Sequence, residues 1–412
     1  MIDCLIVGAG AAGLMAAAAL TKNGYSGEIW EKMPRPGLKL LITGKGRCNI
    51  TNARYASIAD FLSNYTQGGR FLYSAFSHFT PEDTITFFTE KGVKCVIEQG
   101  GRVFPQSEKS KDVLIALLKA SEKNFKLMTR RSVDKIEPRE DGFLITSGTN
   151  SIKTRTVILA VGGASYSKTG STGDAKGLLV PLGHSFTPLK PGLVPLECLE
   201  PWVKELQGLS LINVSATLKQ QSQVIGKEQG EMLFTHFGVS GPIILTLSNH
   251  DFSAAELYID LKPALDEEQL DKRIQRDFAK YINKDFKNAL DDLLPQRLIP
   301  VIIKLAQIEP EKKVNSITKK ERLRLVSLLK ALPITVTGKR PLEEAIVTIG
   351  GLEIKEVDPK TMESKLYPGL YVAGELLDIS GYTGGYNLQA AFSTGYLAGE
   401  STACHLRDNV VK

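Results

Sequence analysis

No two of the five cysteines, Cys4, Cys48, Cys95, Cys198 and Cys404, stand in a CxxC or metal-ligand spacing. Scattered singly, they read as reduced thiols in a reducing compartment, and no zinc site is legible among them. Long apolar runs are also missing. No stretch approaches the roughly twenty residues that a bilayer-spanning helix needs, and no charged, signal-like leader precedes the first strand. The expectation is a cytoplasmic protein without a membrane partner. Acidic residues are the scarcer sign, 45 against 51 Lys and Arg, for a net charge of +6. From Val301 to Arg340 ten Lys or Arg meet three Glu, so that segment alone accounts for the surplus. It reads either as a solvated helix face or as a surface for phosphate-rich partners, including RNA. With 412 residues the chain exceeds what one hydrophobic core usually supports, which predicts two or three domains.

What is present is concentrated at the start, in MIDCLIVGAGAAGL: an apolar strand running into Gly8, Gly10 and Gly13, then a helical run of alanines. Gly8 allows a tight turn out of the strand, Gly10 removes a side chain that would block a pyrophosphate, and Gly13 lets helix pack closely on strand. The helix opening at Ala11 and Ala12 points its free N–H groups and positive dipole end at the phosphates. A lone GxGxxG also occurs in ordinary loops, but here a second short strand, Glu28 to Trp30, ends in Glu31 roughly twenty residues on, where the fingerprint places its ribose-binding acid. An acid there, rather than an Arg, argues for FAD or NAD over NADP. No second GxGxxG follows a strand, which argues against a separate NAD(P)H domain, and Cys48 has no CxxxxC partner, which argues against disulfide reduction.

Along the chain, helices are expected around Ile58 to Ser63, Pro81 to Lys91 and Lys111 to Asn124, and strands over Arg131 to Ile136, Phe143 to Thr146 and Thr156 to Val161. The last of these is apolar throughout, as a strand buried on both faces should be. The boundaries predict a first part of a nucleotide-binding domain over 1–187, an inserted small β domain over 188–263, a charged helical insert over 264–340, and the rest of the nucleotide-binding domain over 341–412. Ser240 reads as the N-cap of an apolar helix with Pro242 in its first turn. The fold class is α/β, a split, three-layer Rossmann-like domain interrupted by a β domain and a helical subdomain.

Four further segments carry a resemblance. They are KLLITGKGRCNITN from Lys39, ILAVGGASYSKTGSTGDA from Ile158, LFTHFGVSGP from Leu233, and TIGGLE from Thr348 running on to GLYVAGELLDISGYTGGYNLQAAFSTG from Gly369. With the opening fingerprint they make the chain similar, over essentially its whole length, to the BaiN/RdsA family of FAD-dependent oxidoreductases, the YhiN-like or HI-type flavoproteins. The resemblance implies FAD held by Gly8, Gly10, Ala11, Ala12, Gly13, Glu31 and Lys32 at its ADP half. It places Arg47, Cys48 and Asn49 in a loop passing the flavin, Val133 on a strand meeting the adenine, and Ala160 and Gly162 after a second nucleotide strand. Gly374, Glu375 and Asp378 fall near the ribityl chain or pyrophosphate. Gly385, Tyr386, Asn387 and Leu388 fall at the start of a final helix whose dipole can stabilise negative charge on the reduced flavin.

Family members are implicated in reducing a carbon–carbon double bond conjugated to a carbonyl, in a steroid-like enone or in a uracil of ribosomal RNA. Hydride goes to the electron-poor carbon, a hydrogen-bonded carbonyl takes up charge, and an acid protonates the neighbouring carbon. NADH or NADPH is the expected transient electron donor. Cys48 and His236 are the candidate proton donors, each with a plainer reading: a packing thiol and a hydrogen-bonded structural histidine. The partner expected is ribosomal RNA, docked through the inserted domains and the basic 301–340 segment. A small-molecule enone reductase and a non-catalytic flavin- and RNA-binding protein stand as alternatives.

Overall fold

Ile2–Val7 is the central strand of a parallel sheet, and a computed structural model describes it together with the rest of residues 1–409. The last three residues of the expected 341–412 segment lie outside the described residues. Ile2–Val7 pairs in parallel with Gly27–Glu31 on one side and Asn150–Leu159 on the other, and Phe125–Thr129 continues the sheet beyond Gly27–Glu31. The two halves of Asn150–Leu159 take different neighbours. Asn150 to Thr154 pair with the antiparallel strand Gly142–Ser147, while Val157 to Leu159 pair in parallel with Leu370–Val372 from the far end of the chain. The nucleotide-binding sheet is therefore split in sequence, and the fold is α/β, as expected.

Two helices lie against each other beside this sheet at very short range. The opening helix Ala11–Lys22 has alanine or glycine at seven of its twelve positions. The final helix Tyr386–Asp408 meets it with Gly395 and Gly399. A Cβ on Gly395 would lie 2.3 Å from the Ala12 carbonyl oxygen, and one on Gly399 would lie 2.6 Å from that of Ala16. Small residues on both helices are what permits the approach, since overpacking such a contact costs about 1–3 kcal/mol.

The chain separates into two compact units, Met1–Gly192 with Leu342–Lys412, and Leu193–Pro341. The second unit holds a closed barrel of Leu196–Cys198, Gly238–Ser240, Gln223–Phe234, Ser210–Gln220, Ala255–Asp260 and Leu332–Lys339, in that spatial order. Helices Glu267–Lys280, Ile299–Ala306 and Lys319–Lys330 share one hydrophobic core with it, through Leu270, Ile274, Ile302, Leu325 and Leu329 beside barrel residues such as Ala216 and Leu257. The expected border at 263/264 thus falls inside one body, because the strand Leu332–Lys339 returns after the helices to close the barrel between Ala255–Asp260 and Leu196–Cys198. Among the described residues no helix is long and apolar enough to cross a membrane.

Two local expectations are corrected. Ser240 ends a strand, and the N-cap of Pro242–Leu247 is Gly241 at φ 96 with no side-chain cap, because a Cβ there would lie 2.8 Å from the Met232 backbone. Val133 lies on no strand. The sheet strand ends at Thr129, Arg130 turns the chain at φ 56, and Val133 falls in the extended link before Lys135–Arg139. Its alternating neighbours mimic a strand, but the pairing partner Gly27–Glu31 runs out at Glu31, opposite Thr129.

Candidate active site

The glycine turn at the carboxyl end of the opening strand is built as the fingerprint requires. Gly8 sits at φ 102, with its N–H donating to the Trp30 carbonyl at 2.8 Å, and a Cβ on it would lie 2.5 Å from the Ala160 carbonyl oxygen. Gly13 passes so near Gly8 that a Cβ would stand 2.0 Å from its carbonyl oxygen. Gly10 differs: nothing lies within 4 Å of where its Cβ would be, and as N-cap of the opening helix it offers no side-chain acceptor. Open space in front of unpaired first-turn N–H groups, those of Ala11, Ala12 and Gly13, is the cradle a pyrophosphate needs. Glu31 is locked across the turn, one carboxylate oxygen accepting from the Ala9 N–H at 2.9 Å and the other from the Met33 N–H at 2.8 Å. Lys32 pairs with Asp174 and also donates to Thr172, so it ties the Ser171–Asp174 loop to this edge.

Beside it, strand ends deliver Ala160 with Gly162, and Gly374 with Glu375. A Cβ on Gly374, at φ 76, would lie 2.9 Å from the Ala12 Cβ, and the Gly374 N–H donates to Thr394 Oγ1 on the final helix. Asp378 is buried and accepts from Gln67 Nε2 at 3.1 Å.

The structure brings together two segments more than 300 positions apart in sequence, the GKGRCN loop with its continuation Thr51–Asn52, and the start of the final helix. Asn52 Nδ2 donates to the Gly384 carbonyl at 3.1 Å, and a Cβ on Gly385, itself at φ 101, would lie 2.5 Å from the Thr51 carbonyl. Only glycine fits there, on both conformational and steric grounds. Tyr386 packs its ring on Phe61 and Tyr65, and its carbonyl accepts from the Tyr65 hydroxyl at 2.6 Å. Asn387 bonds both ways with the Gly381 backbone, so its amide holds the preceding turn. Leu388 is half-buried against the same core. The helix start has no side-chain cap. Around these segments Asn49 Oδ1, Thr51 Oγ1, Ser380 Oγ and Gln389 Oε1 are buried without a hydrogen-bond partner. Buried polar atoms are rarely left unpaired in a native fold. Orphaned acceptors and hydroxyls, an uncapped helix start and the open Gly10 cradle together fit a long, polar, anionic cofactor such as FAD.

The remaining predicted residues are placed as follows. Arg47 turns its guanidinium to Glu98 and to Glu108, the latter at 2.9 Å, and stacks 4.1 Å over Phe104. Its head anchors the loop. Cys48 is fully buried at φ 64, and burial pushes its thiol well above the usual range, so it stays protonated. His236 belongs to the inserted unit, exposed in the turn before Gly238–Ser240 and edge-on to Phe237. Lys39, Ser165 and Thr348 were not legible as site residues. Each is an ordinary polar residue within a glycine-rich motif, and only the fold gathers them around Glu375.

The family described as HI0933-like protein Rossmann domain matches residues 2–401. The chain is 30% identical over 408 residues to the 3-dehydro-bile acid delta(4,6)-reductase of Clostridium scindens, covering 97% of this chain and 98% of that protein. It is 31% identical over 399 residues to the ribosomal RNA dihydrouridine synthase of Haemophilus influenzae, covering 95% and 96% respectively. Among solved structures, the 3-ketosteroid delta1-dehydrogenase from Sterolibacterium denitrificans shares the fold at TM-score 0.53 and 14% identity, over 98% of this chain and 99% of that one.

Proposed function

The chain belongs to the HI0933-like family of FAD-dependent oxidoreductases, and from that premise we propose that it reduces an activated carbon–carbon double bond, converting uridine in ribosomal RNA to dihydrouridine. The reading is carried by the 31% identity, over 95% of the chain, to a protein named as a ribosomal RNA dihydrouridine synthase. The net charge of +6 is in keeping with a polyanionic substrate.

Bound FAD, once reduced by NADH or NADPH, would supply the hydride. The chain's own residues do the rest. Gly10 and the first-turn N–H groups of Ala11–Lys22 hold the pyrophosphate, Glu31 the ribose, and Glu375 and Asp378 the polar chain beyond it. The uncapped start of Tyr386–Asp408 stabilises an anionic group held there, without adding a titratable side chain. Of the two proton-donor candidates, Cys48 is held protonated by burial but closed off from solvent, while His236 is exposed on the inserted unit.

The basic 301–340 segment supports the RNA reading less than its composition suggests. Its own unit, residues 193–341, carries 21 Lys or Arg against 19 Asp or Glu. Lys312 pairs with Glu321, Lys313 with Asp285, Arg322 with Asp271 and Lys330 with Asp260, at 2.6–2.7 Å. With Arg340 on Glu197, half of the segment's ten cations sit on acids of the same body.

The second reading, a small-molecule enone reductase, is favoured by the equally extensive similarity to the bile acid reductase. Mass-spectrometric mapping of ribosomal RNA from strains with and without the gene separates the two. Loss of one dihydrouridine on deletion supports the first reading, and an unchanged map with NAD(P)H-driven reduction of a conjugated steroid ketone supports the second. A protein that binds FAD and RNA but is not bleached anaerobically by NADH or NADPH would have a non-catalytic role.

A further inference from the structure

Glu375 stands at the end of the strand Leu370–Val372, and its carboxylate is gripped from three directions. One oxygen accepts from the Thr348 N–H at 2.7 Å and from Ser165 Oγ at 3.2 Å, and the other accepts from Lys39 Nζ at 2.5 Å. Lys39 also donates to Ser165 Oγ at 2.6 Å, and Thr348 Oγ1 in turn accepts the N–H groups of Ala164 at 2.8 Å and Ser165 at 3.0 Å. Four separate segments meet in this network: the helix Leu38–Ile42 leading into the GKGRCN loop, the glycine pair after Asn150–Leu159, the strand Val347–Ile349, and the Gly374–Glu375 turn. The fit is close, since a Cβ on Gly163 would stand 2.5 Å from Thr348 Oγ1 and 3.2 Å from the Glu375 carboxyl carbon.

A carboxylate offers about four acceptor positions, and three of those on Glu375 are taken. The side chain is 21% exposed, and that of Lys39 25%, so the pair is shielded but not sealed. We propose that Lys39 is a positioning residue for cofactor binding. It fixes the Glu375 carboxylate in place and directs its remaining acceptor position at a hydroxyl donor of the bound FAD, while tying the GKGRCN loop to the strand ends. This rests on the reading of Glu375 as a cofactor ligand. Removal of the ammonium leaves a largely shielded carboxylate without its cation and frees its rotamer. Arg at position 39 restores the charge with a planar fork.

The test measures FAD dissociation constants by flavin fluorescence quenching on wild type, K39M, K39R, E375Q and the K39M/E375Q double variant, each first stripped of flavin. Circular dichroism and melting of the stripped proteins report folding separately. The expectation is a loss of about tenfold or more in K39M with an unchanged apo melting profile, a loss in K39R of less than threefold, and a double variant no weaker than E375Q alone, since coupled residues are not additive. Wild-type affinity in K39M, or additive losses in the double variant, would overturn the proposal. If K39M does not fold, K39R and E375Q decide: a K39R loss as large as that of E375Q, without its loss of apo stability, counts against it equally. Tight FAD binding by wild type that E375Q leaves unchanged would sink the reading of Glu375 as a ligand instead, and the proposal with it.

Discussion

The two compact units use the same physical interactions to different ends. In the nucleotide-binding unit, glycines are pressed against backbone carbonyls, a helix starts without a cap, and Asn49, Thr51 and Ser380 are buried with polar atoms unpaired. In the inserted unit the helices Glu267–Lys280 and Lys319–Lys330 each begin with a complete capping box, from Asp266 and Thr318, and cations sit on acids of the same body. The difference is one of weight: among the described residues the nucleotide-binding unit buries five unpaired side-chain atoms, four of them around the start of the final helix, and the inserted unit two, Ser215 Oγ and Asn249 Nδ2. Unsatisfied groups mark where a ligand completes the structure, and satisfied ones mark where the fold completes itself.

The largest effect expected from breaking this contrast is at Gly385. Gly385→Val puts a branched side chain at φ 101 and within 2.5 Å of the Thr51 carbonyl. FAD should be absent from the purified variant, read from the flavin absorbance per protein. The matched control in the inserted unit, Gly338→Ala, has nothing within 4 Å of the new Cβ, and should leave both flavin content and melting unchanged. Gly395→Val, at the close helix crossing, should cost about 1–3 kcal/mol or somewhat more in denaturant unfolding. Glu31→Ala removes a charged acceptor from the Ala9 and Met33 N–H groups, bonds each worth about 1.5–3 kcal/mol. FAD affinity, followed by titration, should drop by about tenfold or more.

Smaller effects belong to the inserted unit. Replacing the three exposed lysines Lys304, Lys319 and Lys320 by Gln should change ribosomal RNA binding, measured across a salt series, by no more than about threefold. A collapse of binding would show the segment to be a docking surface after all. Smallest is a pH effect. Glu321 is held down at about 2, first by Lys312 and then by the Thr318 N–H. Its contribution is therefore complete above the ordinary carboxylate value near 4.5 and fades as pH falls toward 2. Glu321→Gln should lower melting at pH 6 while narrowing the difference from wild type at pH 3.

Much of the nucleotide-binding unit was legible, because its signals are local and steric. Gly8, Gly13 and Glu31 stand within one strand–helix–strand stretch, and the start of the final helix follows from Gly384–Gly385. What escaped was set by distant pairing. Val133 read as a strand residue because alternation is blind to where the neighbouring strand ends. The charge of 301–340 read as a surplus because its partners, Asp260, Asp271 and Asp285, lie elsewhere in the chain. Lys39 carries no local signal of its role for the same reason: its partner Glu375 is 336 positions away.

The strand Asn150–Leu159, with its two halves paired to different neighbours, also sets an order of events during synthesis. Its partner Leu370–Val372 and the helix after it leave the ribosome long after the inserted unit, whose barrel closes at Lys339. The insert can mature while the sheet around it is still missing an element. Cofactor capture that needs the start of Tyr386–Asp408 therefore waits until that helix has been made.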